Sequence, residues 1–139
     1  MAVTEPPLFI FFVTGEPSGD ALGGSLIAAL QQRTGGNLRI AGIGGERMQE
    51  HGLASLAPLG DLAIGGVAEV LPRAPVILRR VRQTVAAICK VRPDAVVTID
   101  SSGFSWRVAE SARRRSNPQD RRRPPVWGPA PTAVRRTSR

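Results

Sequence analysis

No apolar run in this sequence approaches the ~20 residues a membrane-spanning helix needs. The densest, Leu8 to Val13, is six residues long. The segment ahead of it, Met1 to Leu8, carries no basic residue and holds Glu5 and two prolines, so it does not have the composition of a signal peptide. A cytoplasmic location is the expectation that follows. A single cysteine, Cys89, excludes an internal disulfide, and its place in the periodic segment Val81 to Lys90 predicts a core or groove thiol. The single histidine, His51, sits in a polar stretch before Gly52 and reads as a surface residue at a helix end. With so few soft ligands and no clustering of them, neither a metal nor a cofactor is expected.

Net charge is +8, which at first suggests a nucleic-acid partner, but its distribution argues otherwise. Met1 to Ala112 holds ten Lys/Arg and ten Asp/Glu, which cancel, whereas Arg113 to Arg139 holds nine arginines against Asp120 alone. The whole excess lies in a C-terminal segment that also contains Pro118, Pro124, Pro125, Pro129 and Pro131 and has no apolar periodicity. That composition predicts a disordered tail over 113–139. It is either an interaction tail or the product of a shifted reading frame in a GC-rich gene, and no specific nucleic acid is expected as a partner.

The first 112 residues alternate between two periods. Leu8-Phe9-Ile10-Phe11-Phe12-Val13 suits a strand buried on both faces of a parallel sheet. Asp20 then precedes Ala21 to Arg33, where Leu22, Leu26, Ala29 and Leu30 recur at helical spacing until Gly35-Gly36. Leu38 to Ala41 is a second strand, followed by Gly42-Ile43-Gly44-Gly45 and a short helix over Glu46 to His51. Leu53 to Pro58 carries a weak strand signal. Pro75 is placed to open a helix whose apolar face is Ile77, Val81, Val85 and Ile88, and Arg92-Pro93 ends it. Ala95 to Ile99 is a third buried strand, closed by Asp100. Strand, helix and strand at these intervals imply right-handed parallel crossovers and a doubly wound α/β sheet.

In open α/β sheets ligands bind beyond the carboxyl ends of the strands. Three loops qualify: Thr14 to Asp20, Gly42 to Gly45, and Asp100 to Phe104. The first offers helix N-terminal amides, yet Gly19 is followed by acidic Asp20 rather than a phosphate-binding lysine, and G-x-G-x-x-G is missing from this turn. Nucleotide cradling by this loop is therefore not expected. Asp20 or Ser18 has a second reading as a cap of the first helix. Asp100, ending a buried strand beside Ser101, Ser102 and Gly103, is placed to accept a proton from a substrate hydroxyl, and capping of the next helix is its alternative.

Four ordered blocks carry a family resemblance: FFVTGEPSGDALGG at Phe11 to Gly24, AGIGGERM at Ala41 to Met48, DLAIGGVAEVLPR at Asp61 to Arg73, and RPDAVVTIDSSGF at Arg92 to Phe104. Together they resemble the opening of the lipid-A-disaccharide synthases. The resemblance implies the N-terminal half of a GT-B glycosyltransferase, a Rossmann-like parallel sheet with flanking helices, over residues 1–112. It implies an inverting, metal-independent hexosyl transfer from UDP-2,3-diacylglucosamine to lipid X, giving lipid A disaccharide 1-phosphate and UDP. By that likeness Asp100 deprotonates the acceptor hydroxyl, and Gly15, Glu16, Ser18, Gly19, Asp20, Gly44, Gly45 and Ser101 shape the substrate pocket. Because the substrates are lipids, Val67 to Arg82 becomes a candidate contact for the inner-membrane surface; core packing with a solvated basic face is the alternative.

The sequence departs from the family pattern at two places. Ser102 stands where the family usually has proline. After the Trp106 segment the family continues with a strand and a tryptophan-rich loop, and here only Pro125-Val126-Trp127-Gly128 appears among arginines. A chain without the UDP-holding domain is expected to be inactive alone. The alternative outside catalysis is a stand-alone α/β module that binds a sugar or lipid phosphate.

Overall fold

A computed structural model describes residues 5–58, 67–99, 103–116 and 135–136, with backbone alone for 67–73, 103, 116, 135 and 136. Three parallel strands, β1 (Leu8–Thr14), β2 (Leu38–Ile43) and β3 (Ala95–Ile99), form the centre of the sheet in the order β2-β1-β3. Helices α1 (Pro17–Arg33), α2 (Glu46–Gln49), α3 (Val67–Val91) and α4 (Gly103–Ser116) connect and flank them. A two-residue strand, β4 (Arg135–Arg136), pairs antiparallel with Ala95 and Val96 of β3. The doubly wound α/β class expected from the alternating periods is the observed one.

Strand alternation explains why both faces of the sheet are covered. Phe11 and Val13 turn to one side and pack with Ile77, Val81, Val85 and Ile88 of α3 and Phe104, Val108 and Ala112 of α4. Ile10 and Phe12 turn to the other and pack with Ile27 of α1, Met48 of α2 and Val97 and Ile99 of β3. A strand apolar on both sides is thus required, and each fully buried phenylalanine contributes roughly 1.5–3 kcal/mol.

The differences from the sequence-based expectation have local causes. α1 begins at Pro17, because Pro17 occupies the first helical position with Glu16 extended ahead of it, and the first helical bond runs from the Asp20 amide to the Glu16 carbonyl, 3.1 Å. Asp20 is therefore inside α1 and is not its cap. The buried stripe of α1 is Gly19, Asp20, Gly23, Gly24 and Ile27, with Leu26 and Leu30 at its margin; Leu22 is 64% exposed and Ala29 is exposed. Spacing of large side chains misplaced this face because glycines do the packing. Cβ atoms at Gly23 and Gly24 would lie 2.6 Å from Met48 Sδ and 3.0 Å from the Arg47 carbonyl, so α1 rests backbone-close on α2.

β2 runs through Gly42, whose φ of +139° and whose missing Cβ, which would fall 1.8 Å from the Phe12 carbonyl, both demand glycine. Beside it the weak strand signal at Leu53 to Pro58 is a single parallel bridge, Gly42 with Ser55. α3 starts at Val67 and passes through Pro72 and Pro75. Each proline removes an amide at a cost of ~3 kcal/mol or more in a helix interior. The buried stripe from Ile77 to Ile88 anchors the helix despite that cost. The same stripe turns Cys89 outward, so the thiol is exposed and is not in the core. α4 continues to Ser116, four residues past Ala112, where Glu110 pairs with Arg113 at 2.9 Å and Arg114 at 2.8 Å.

Candidate functional site

The parallel register brings the carboxyl ends of the strands level. Val13 stands opposite Ile43, and Thr14 stands opposite Ile99, so the loops after β1, β2 and β3 leave from one edge of the sheet. Asp100 and Ser101 lie outside the described residues. Asp100 follows Ile99 directly in sequence, and the neighbour of Ile99 across the ladder is Thr14.

At this edge Asp20 does more than either sequence reading assigned to it. Its carboxylate, 6% exposed, accepts the Gly45 amide on Oδ1 at 2.7 Å, the Met48 amide on Oδ1 at 3.2 Å and the Arg47 amide on Oδ2 at 3.0 Å. These are the amides at the start of α2, whose own cap residue, Gly45, has no side chain to satisfy them. A residue of α1 therefore caps α2 from the outside. Its charge also sits in the first turn of α1, where the helix dipole favours an anion. The result is a tie between the loop after β1 and the loop after β2.

Both glycine amides of the second loop are committed internally: Gly45 to Asp20, and Gly44 to Ser55 Oγ at 3.1 Å. Ser55 Oγ in turn donates to the Ala57 carbonyl at 2.7 Å. Thr14, fully buried, donates through Oγ1 to the Glu16 carbonyl at 3.2 Å and shapes the turn into α1. Of the residues expected to shape the pocket, Gly15, Gly19, Asp20 and Gly44 are buried, Gly45 is half-buried, and Glu16 and Ser18 are exposed. The structure brings the first two loops together and leaves Glu16 and Ser18 as the side chains that face outward. A carboxylate and a hydroxyl suit the hydroxyls of a sugar better than a phosphate.

Two contributors were missed in the sequence. Ser55 lies in the segment with the weakest signal, and Met48 reads as an ordinary helical residue until the glycines it packs on are seen. His51 is half-exposed in the turn after α2, and its carbonyl accepts Gln31 Nε2 at 2.9 Å. Among the described residues no group of three or more His, Cys, Asp or Glu is placed to hold a metal ion. Among them, too, no helix is long and apolar enough to cross a membrane.

A three-layer α/β domain with its loops gathered at the strand carboxyl ends is the architecture of the N-terminal half of a GT-B glycosyltransferase. Comparison with known proteins gives the family. The model described as lipid-A-disaccharide synthetase matches residues 10–121, from β1 to beyond α4, and the chain belongs to that family. It is 53% identical over 108 residues to a lipid-A-disaccharide synthase of Rhodospirillum centenum, covering 78% of this chain and 27% of the relative. Similar enzymes of Paramagnetospirillum magneticum and Nitrobacter winogradskyi are 50% and 43% identical, over 86% and 82% of this chain and 32% and 29% of theirs. The chain thus spans about a third or less of the length of the curated relatives it matches.

Proposed function

We propose that residues 1–112 form the acceptor-side part of a lipid-A-disaccharide synthase. The reaction is transfer of a diacylglucosaminyl group from UDP-2,3-diacylglucosamine to lipid X, yielding lipid A disaccharide 1-phosphate and UDP in lipid A biosynthesis. The observation that carries the reading is the tie made by Asp20, which fixes two family motifs, the one at Thr14 to Asp20 and the one at Gly42 to Met48, as a single wall at the carboxyl edge. Asp100 takes the proton from the acceptor hydroxyl as its oxygen attacks the anomeric carbon, and UDP departs from the opposite face, which inverts the configuration. A positioned base contributes about 10² to 10⁴ in rate. Glu16, Ser18 and Ser101 hold sugar hydroxyls, while Asp20, Gly44 and Gly45 keep the wall in place. No metal takes part.

The polar faces of α3 and α4 support a location on the cytoplasmic side of the inner membrane. Leu78, 45% exposed, and Trp106, 49% exposed, stand beside Arg79, Arg82 and Arg107, a mixture suited to an anionic lipid surface. The UDP half of the cleft belongs to the part of the relatives that these residues do not match, so the 139 residues alone do not turn over.

Appending the unmatched C-terminal part of the Rhodospirillum centenum relative after Arg115 is expected to give transfer from UDP-2,3-diacylglucosamine to lipid X, reduced at least about 100-fold by Asp100→Asn. Turnover by the 139 residues alone would contradict the division of labour, and full activity of the Asp100→Asn chimera would remove the base. A second reading is a non-catalytic module that binds a sugar or lipid phosphate. It predicts lipid X binding with no transfer by the chimera.

A further inference from the structure

The two sides of the sheet are finished differently. On one, β2 carries an exposed charge, Arg39, and its Gly42 carbonyl accepts the Leu56 amide at 2.9 Å beside the bridge from Gly42 to Ser55. On the other stands β3, Ala95–Ile99, four apolar residues and a threonine with no charge, proline or glycine among them. Along its outer edge β4 pairs antiparallel, Arg136 with Ala95 and Arg135 with Val96. We propose that the outer edge of β3 is a strand-accepting surface, that residues 135–136 occupy it from within the same chain, and that this occupancy keeps two copies from pairing edge to edge.

A strand at the side of a sheet presents amides and carbonyls to any chain that can pair with them, and an apolar one is the strongest template. β3 has that character by composition and by packing. Val97 and Ile99 are held in the core on the α1 side and Val96 packs against the core on the α3 side, so both faces are anchored and the edge is what remains for pairing. Topology directs a strand to the same place. α3 and α4 share one face, and a right-handed connection leading on from α4 delivers a further parallel strand to the outer edge of β3. Such a strand and β4 exclude each other.

Charge suits β4 to this position. Short length and charged residues are the features by which edge strands resist association. The segment from Arg113 onward holds nine arginines against Asp120 alone, and two adjacent arginines fall in register with β3. Like charges directly opposite one another across strands are destabilising, so β4 is a poor template for the β4 of a second copy. Two bare β3 edges carry no charge to oppose their pairing. Ala95 and Val96 lie at the amino end of β3, away from the loops after β1 and β2, so none of this depends on which substrate the carboxyl edge takes.

Disulfide trapping in the 139-residue chain reads the pairing. With Cys89→Ser removing the exposed native thiol, Val96→Cys and Arg135→Cys put thiols on directly opposed residues, whose Cα atoms stand ~4.5–5.5 Å apart in an antiparallel pair, within disulfide reach. Oxidation is expected to give a crosslinked monomer, at least about tenfold faster than Val96→Cys with Ser138→Cys, which is out of register. A crosslinked dimer, or equal rates for the two pairs, overturns the proposal. Sedimentation velocity reads the consequence. Wild type is expected to stay monomeric, and deletion of Thr132 to Arg139 to tighten self-association at least about tenfold. Arg136→Pro, which keeps the tail and Arg135 but removes a ladder donor, is expected to act in the same direction. A dimeric wild type, or a folded deletion variant as monomeric as wild type, overturns the proposal. If the deletion variant does not fold, monomeric behaviour of Arg136→Pro overturns it instead.

Discussion

Two aspartates hold backbone amides at opposite ends of the same sheet, and they do different things. Asp94, just ahead of β3, makes a two-bond clasp with one residue: its carboxylate accepts the Phe9 amide at 2.9 Å, and its own amide donates to the Phe9 carbonyl at 2.8 Å. Asp20, at the carboxyl edge, accepts three amides from a helix other than its own. The clasp sets the pairing of adjacent strands. The tie joins two loops that the strands merely deliver to the same place. Identical chemistry serves register at one end and the placing of two loops at the other, so the effects of removing each should separate.

The largest expected effect comes from the backbone position that the tied loops depend on. Gly42→Ala would force a Cβ against the Phe12 carbonyl at a positive φ, destabilising the chain by roughly 4 kcal/mol or more, seen as loss of the cooperative thermal transition. Asp20→Ala comes next. It leaves the buried Met48 amide and two part-buried amides without the carboxylate and removes bonds to a charged group, a loss of about 3 kcal/mol by denaturant unfolding. Asp20→Asn should recover little of it, because an amide NH₂ would face a backbone donor. Asp94→Ala is expected to cost about 1 kcal/mol, since the Phe9 carbonyl keeps the backbone half of the clasp.

The smallest effect lies in the last turns of α4. Burial by itself pushes the Glu110 carboxyl up, but hydrogen bonds from Arg114 and Arg113 outweigh it and hold the group below its ordinary value of 4.5. A carboxylate depressed in the folded state contributes stability that is present above its unfolded value and lost as pH falls through the folded one. Wild type should therefore exceed Glu110→Gln by about 0.5 kcal/mol near neutrality, with the difference vanishing on acidification. Thermal melts of both proteins across that range check it.

What the sequence revealed followed from repeated patterns. Apolar runs located β1 and β3, and the stripe Ile77, Val81, Val85 and Ile88 located the buried face of α3, because burial on a regular element has a period. The loops after β1 and β2 were placed at one edge by the parallel topology alone. The hidden part consisted of contacts between residues distant in the chain. Asp20 looked like a local cap because its partners are 25 to 28 residues away. Gly23 and Gly24 gave no apolar signal although they form the α1–α2 contact, and Leu22 gave one although it faces outward. Asp94 was legible as part of a family block but not as a clasp, since only strand pairing brings Phe9 to it.

The most direct test of the central claim, that the Asp20 tie builds an acceptor-binding wall, is calorimetric titration of lipid X into wild type, Asp20→Ala and Asp94→Ala at a temperature where all three are folded. Saturable binding to wild type, retained in Asp94→Ala and weakened at least about tenfold in Asp20→Ala, is the expected result. Equal binding by all three proteins, or no binding by wild type, would contradict it.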